Sequence, residues 1–97
     1  MTPEAKVKDK VKKILKQHGV YYVMPATGGY GASGVPDIIC CFKGYFFGIE
    51  CKAGRNTTTA LQESNLQKIR AAGGRAIVVN EDNIDSVTTL LGEIDHA

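Results

Sequence analysis

Three residues carry reactive chemistry at a suggestive spacing: Asp37, then twelve residues, then Glu50, with Lys52 two positions further on. A two-residue turn at Lys43-Gly44 would join the flanking apolar runs into a β-hairpin, facing Phe42 with Tyr45. Antiparallel register then sets Asp37 directly across from Glu50. Directly opposed residues hold their Cβ atoms ~4.5–5.5 Å apart. Side chains alternate along a strand, so Lys52 shares the face of Glu50. Two carboxylates at that range repel and raise each other's pKa unless a cation sits between them. Lys52 offsets part of the charge, and a hard divalent ion would offset more. Mg²⁺ is commonly held by one or two carboxylates plus a phosphate. Such an ion polarises a phosphoryl oxygen and acidifies water, and Lys52 could orient that water or neutralise charge on the phosphate. A structural salt bridge on a strand pair has the same spacing, and spacing alone leaves both readings open.

The elements that would hold these residues follow from periodicity. Thr2 can cap a helix over residues 3–18 with Pro3 in its first turn, and Val7, Val11, Ile14 and Leu15 form one buried stripe. Gly19 stands where a left-handed C-terminal cap belongs. Residues 19–24 read as a strand ended by Pro25, and residues 26–34 as a glycine-rich loop. Residues 36–42 and 45–52 are the hairpin strands. Thr59 can cap a helix to about Ala72, with Leu61, Leu66 and Ile69 inward, and Gly73-Gly74 ends it. Residues 75–80 form a short strand. A last helix spans about Asn83 to Ile94, with Ile84, Val87, Leu91 and Ile94 on one face. The order α-β-β-β-α-β-α predicts an α/β fold, a mixed sheet flanked by helices. The 97 residues make one domain.

Composition excludes several classes. Mean hydropathy is −0.12, and no apolar run nears the ~20 residues a membrane span needs. There is no secretory apolar segment after Met1, and three cysteines make no disulfide framework, so a cytoplasmic protein is expected. Residues 1–75 hold all 12 Lys and Arg against five acids, while residues 76–97 hold five acids and neither base. Six lysines fall between Lys6 and Lys16, a stripe that suits either a polyanion or a solvated helix face. Residues 29–34 spell GxGxxG, but Val35-Pro36-Asp37-Ile38 continues as strand rather than helix, which argues against a nucleotide cofactor. That loop instead offers amides near the acid pair, and Thr27 and Ser33 could touch a nucleic-acid backbone. Cys40 and Cys41 are adjacent and lack zinc-ligand spacing. His18 and His96 lie far from any nucleophile pattern. Tyr21, Tyr22, Tyr45, Phe46 and Phe47 are expected mainly in the core, with one sheet face as an alternative cover for a partner subunit.

Pro36-Asp37 followed by Glu50-Cys51-Lys52 resembles the PD-(D/E)XK signature of restriction-endonuclease-like nucleases. Gly34-Val35-Pro36-Asp37-Ile38-Ile39, the Ile49–Gly54 strand, Thr59-Ala60-Leu61-Gln62 and Arg70-Ala71-Ala72-Gly73-Gly74 together look like the VRR-NUC branch, over residues 4–79. The resemblance implies a restriction-endonuclease-like fold. It implies that Asp37, Glu50 and the Cys51 backbone carbonyl hold Mg²⁺ or Mn²⁺, with Glu4 reaching the ion through water. Lys52 would be the catalytic lysine, and Gln62 would orient the attacking water or Lys52. Stand-alone domains of this length resemble Holliday-junction resolvases. That implies a homodimer that cuts branched DNA, leaving a 5′-phosphate and a 3′-hydroxyl. Lys6, Lys10, Lys13, Ser33 and Arg55 are the candidate DNA contacts. Two alternatives remain: a nuclease of flaps, nicks or duplex DNA, and a nucleic-acid-binding module that does not cut.

Overall fold

Thr2 starts the first helix by accepting a hydrogen bond from the Ala5 N–H at 3.1 Å, and Pro3 sits where no intrahelical donor is needed. The computed structural model describes residues 1–26 and 34–97. Helix α1 runs Pro3–Gln17 and buries Val7, Val11 and Leu15. The next strand, β1, is Tyr21–Val23, shorter than residues 19–24. Val20 is the reason: its N–H turns back to the Leu15 carbonyl at 3.0 Å and belongs to the helix end rather than the sheet. Strand β2 is Ile38–Phe42 and begins after Pro36, which has no N–H to give a ladder. Strand β3 is Tyr45–Cys51.

Lys43 and Gly44 join β2 to β3 with φ of 51° and 85°. Positive φ at both central residues is the mark of a type I′ turn, whose twist matches a two-residue hairpin. Lys43 accepts the less favoured conformation, and Gly44 takes it without a Cβ penalty. The register runs from Phe42↔Tyr45 to Ile38↔Ile49, as the turn length requires.

Helix α2 is Ala60–Ala71, opened by a capping box: Thr59 Oγ1 accepts from the Gln62 N–H at 3.1 Å, and Gln62 Oε1 accepts from the Thr59 N–H at 2.9 Å. Strand β4 is Arg75–Val79, and α3 is Asp85–Asp95. Asn83 lies outside α3 because its side chain closes the preceding loop. Its Oδ1 accepts from Asn80 N–H at 2.6 Å, and its Nδ2 donates to the Val78 carbonyl at 3.0 Å.

The four strands lie in the order β1-β2-β3-β4, antiparallel except for the parallel β3–β4 pair that α2 crosses between. This is the mixed sheet flanked by helices that the sequence predicts, with the same element order. Ile38, Cys40, Phe47, Ile49, Cys51 and Val79 form one core with Val7, Val11 and Leu15 of α1 and Val87, Leu91 and Ile94 of α3. Helix α2 covers the other face of β3 and β4. There Gly48 lets Pro36 and Ile69 close down; a Cβ would stand 2.9 Å from Pro36 Cγ.

Two expectations about packing are corrected. Leu61 is half exposed rather than inward, because the inward stripe of α2 is Gln62, Leu66 and Ile69, at spacings of four and three. A polar residue occupies the first position of an otherwise apolar stripe. Of the aromatics, Phe47 is buried and Tyr22 partly so, but Tyr21, Tyr45 and Phe46 are exposed. Tyr21 lies on the edge strand β1, beyond the β3–β4 surface that α2 covers. Among the described residues, no helix is long and apolar enough to cross a membrane.

Candidate active site

The open end of the β2–β3 ribbon carries the acid pair. Extending the observed register one step past Ile38↔Ile49 faces Asp37 with Glu50. Asp37 lies just outside β2, and its Oδ2 accepts the Cys51 N–H at 2.8 Å, so a side chain continues the ladder where the backbone stops. Lys52 donates its N–H to the Val79 carbonyl at 2.9 Å, on the β4 side. Successive strand residues direct their peptide groups to opposite sides, so the Cys51 N–H and carbonyl both face the Asp37 side. The Cys51 thiol belongs to the core, where burial pushes it up to about 12.

Glu50 is the only buried charged residue among those described, at 2% exposure. Burying an unpartnered carboxylate costs several kcal/mol. Here Gln62 Nε2 donates to Oε2 at 3.2 Å, and Lys52 Nζ stands 3.7 Å from the same oxygen. These partners do not offset the burial. Desolvation first, then repulsion from and hydrogen bonding with Asp37, pushes Glu50 up to about 7, with Lys52 pulling the other way. The Gln62 side chain is fixed at both ends, its Oε1 by the Thr59 N–H and its Nε2 by Glu50. The capping box of α2 therefore also orients a site carboxylate.

Glu4 is placed near this pair. Lys8, one turn along α1, bridges the two: its Nζ is 3.7 Å from Glu4 Oε2 and 3.5 Å from Asp37 Oδ1. Burial lowers the Lys8 pKa, but the Asp37 and Glu4 carboxylates outweigh it and the net shift is upward. Sequence reasoning counted Lys8 only as one of six lysines. The signal available was its i,i+4 spacing from Glu4 on the helix flank that turns toward the hairpin.

The structure brings Asp37, Glu50, Cys51, Lys52, Gln62 and, through Lys8, Glu4 together. Lys6 and Lys10 stand two residues to either side of Lys8, hence about 160° around the helix. With Lys13 they form a separate exposed face. Arg55 is exposed in the loop after Lys52. Ser33, Thr27 and most of the GxGxxG run lie outside the described residues; Gly34, its last residue, leads into β2 and not into a helix.

No group of three or more His, Cys, Asp or Glu among the described residues is arranged as a metal-binding cluster. The set on offer is two carboxylates and a backbone carbonyl. That donor set is all oxygen, which suits a hard divalent ion that keeps several waters. The Glu50 pKa is raised first by burial and then by the neighbouring Asp37 carboxylate, and a bound cation would oppose the second of these causes.

The family model described as archaeal Holliday junction resolvase (hjc) matches residues 5–88. Among solved structures, one titled "VRR_NUC domain" superposes with a TM-score of 0.77 at 19% identity, over 92% of this chain and 97% of that one. No curated protein matches the sequence. The matched residues run from the first turn of α1 into α3 and contain every described member of the acid–lysine cluster except Glu4, so the chain belongs to the archaeal Holliday junction resolvase family and has the VRR_NUC fold of a PD-(D/E)XK-like nuclease.

Proposed function

We propose that this protein is a divalent-metal-dependent endonuclease that cuts branched DNA, with four-way junctions as its main substrate and a homodimer as its working form. The observation that carries this reading is the Asp37–Glu50 pair with Lys52 and Gln62 on its buried member. In this reading Asp37, Glu50 and the Cys51 carbonyl hold Mg²⁺ or Mn²⁺. When bound, the ion supplies polarisation of a phosphoryl oxygen and a more acidic water. Lys52, one-tenth exposed and tethered to Glu50, places its ammonium to neutralise charge developing on the phosphate. Gln62 keeps Glu50 in the productive rotamer by its Nε2 donation. Glu4 sits one layer further out and acts through water. A non-cutting binding module has no use for a buried carboxylate beside a second one, since both repel a phosphate backbone.

DNA would lie along the basic residues outside the pair, Lys6, Lys10 and Lys13 on the outer flank of α1 and Arg55 after β3, with the Ser33 hydroxyl as a further candidate contact. Two symmetric incisions across a junction call for two sites related by a two-fold axis. An exposed apolar row supports the pairing: Tyr21, Cys41 and Phe46 are adjacent in register on one sheet face, and all are exposed. The deciding experiment compares cleavage of matched four-way, flap, nicked and linear DNAs in Mg²⁺, Mn²⁺ and chelator, with Asp37→Asn as control. Metal-dependent cutting of the four-way substrate that Asp37→Asn abolishes supports the proposal. Preferential cutting of flaps or linear duplex would replace the substrate and keep the chemistry. Junction binding without cutting in any metal would make the protein a binding module. Solution mass tests the dimer, and Phe46→Lys is expected to shift it toward the monomer.

A further inference from the structure

The two lysines at the site divide its carboxylates between them. Lys52 stands on Glu50 Oε2, while Lys8 stands on Asp37 Oδ1 and Glu4 Oε2. Asp37 has two oxygens, and Oδ2 is already taken by the Cys51 N–H at 2.8 Å. Oδ1 does not take that backbone bond, and it is the oxygen that Lys8 Nζ faces at 3.5 Å. The Lys8 side chain is 29% exposed and that of Asp37 14%, so water screens this contact only in part.

We propose that Lys8 is the resident counter-cation of the acid pair, an ammonium that holds Asp37 Oδ1 until a divalent ion takes that oxygen. The inference rests on the metal-site reading above. An ammonium and a divalent ion on one carboxylate oxygen repel each other, so binding requires Lys8 to leave. Its flexible four-carbon stem, partly in solvent, lets it do so without moving α1. Lys8 thereby serves two ends. It shields Asp37 from Glu4 and Glu50 in the metal-free protein, and it sets how tightly the ion binds. It acts through Asp37, so it is a positioning residue and not a catalytic one.

The test is Mn²⁺ binding to the full chain, by calorimetry or by the loss of the free-ion electron paramagnetic resonance signal. Wild type, Lys8→Met, Lys8→Gln, Lys8→Arg and Asp37→Asn are compared. Lys8→Met and Lys8→Gln are expected to bind Mn²⁺ roughly tenfold more tightly, while Lys8→Arg, which keeps the charge, stays near wild type. In chelator the two neutral variants melt lower than wild type, and they gain more in Tm on adding Mn²⁺. A purely structural Lys8 would weaken binding when removed, and unchanged or weaker binding in both neutral variants overturns the proposal. Asp37→Asn separates the two layers of argument. If it abolishes binding while the Lys8 variants leave it unchanged, the metal site stands and the role of Lys8 falls. If it binds Mn²⁺ like wild type, the metal-site reading falls, and this inference with it.

Discussion

The parallel β3–β4 pair carries ion pairs at both ends, and the two ends differ in kind. At one end Arg75 meets Glu93 at 2.8 Å, with side chains 44% and 54% exposed. At the other, Lys52 meets Glu50 at 3.7 Å and Lys8 meets Asp37 at 3.5 Å, yet these side chains are only 3–29% exposed. The shorter contact is the weaker one in consequence. Water screens the Arg75–Glu93 pair, and its loss leaves two solvated ions. At the site end, burial makes every missing partner costly and moves a pKa from 4.5 to about 7. Exposure, more than distance, separates an ordinary surface bridge from a group of charges held ready for chemistry.

Activity should split the two ends most sharply. Asp37→Asn, Glu50→Gln and Lys52→Met are each expected to lower junction cleavage by about a hundredfold or more, in line with loss of one preorganised charge-stabilising group. Arg75→Ala should leave the rate within about twofold of wild type. Single-turnover cleavage of a labelled four-way junction measures both, and a large loss in Arg75→Ala would erase the contrast.

Stability should separate the ends by a smaller margin. Asp37→Ala removes the acceptor of the buried Cys51 N–H and is expected to cost about 1–3 kcal/mol in denaturant titration. Asp37→Asn keeps an oxygen for that donor and should cost less.

The pH response sharpens the comparison further. Folded Glu50 holds its proton to about 7, whereas the unfolded chain releases it near 4.5. Between these values the unfolded state binds fewer protons, so the stability of the metal-free protein should fall as pH rises from 4.5 to 7. The contribution is fully present below 4.5 and lost above 7. Urea titrations of wild type and Glu50→Gln across that range check it, because the glutamine variant should lose the slope. The smallest effect belongs to the exposed end. Arg75→Ala or Glu93→Ala should change stability by no more than about 1 kcal/mol, read from the same titrations.

Much of the site is legible in the amino-acid order. A two-residue turn admits one register, and that register alone places Asp37 against Glu50 and Lys52 on the Glu50 face. The capping-box spacing from Thr59 to Gln62 likewise marks the start of α2. Leu61 shows where the pattern misled. A leucine in a helical stripe reads as inward, but the stripe that meets the sheet carries Gln62 in its first place, because Glu50 beneath it needs a donor. Tyr21 and Phe46 misled in the same way: side-chain type does not say how far a neighbouring helix extends over a sheet.

What the amino-acid order determined by itself was local: helix caps, strand alternation, a tight turn and the register it imposes. Each of these depends on contacts a few residues long. Tertiary structure alone decided which lysine of α1 reaches Asp37, that Glu50 is sealed under α2, and that its proton is held to about 7. The reason is physical. Charge interactions and desolvation depend on the distance between elements and on the water left between them, and both are set only when the helices pack onto the sheet.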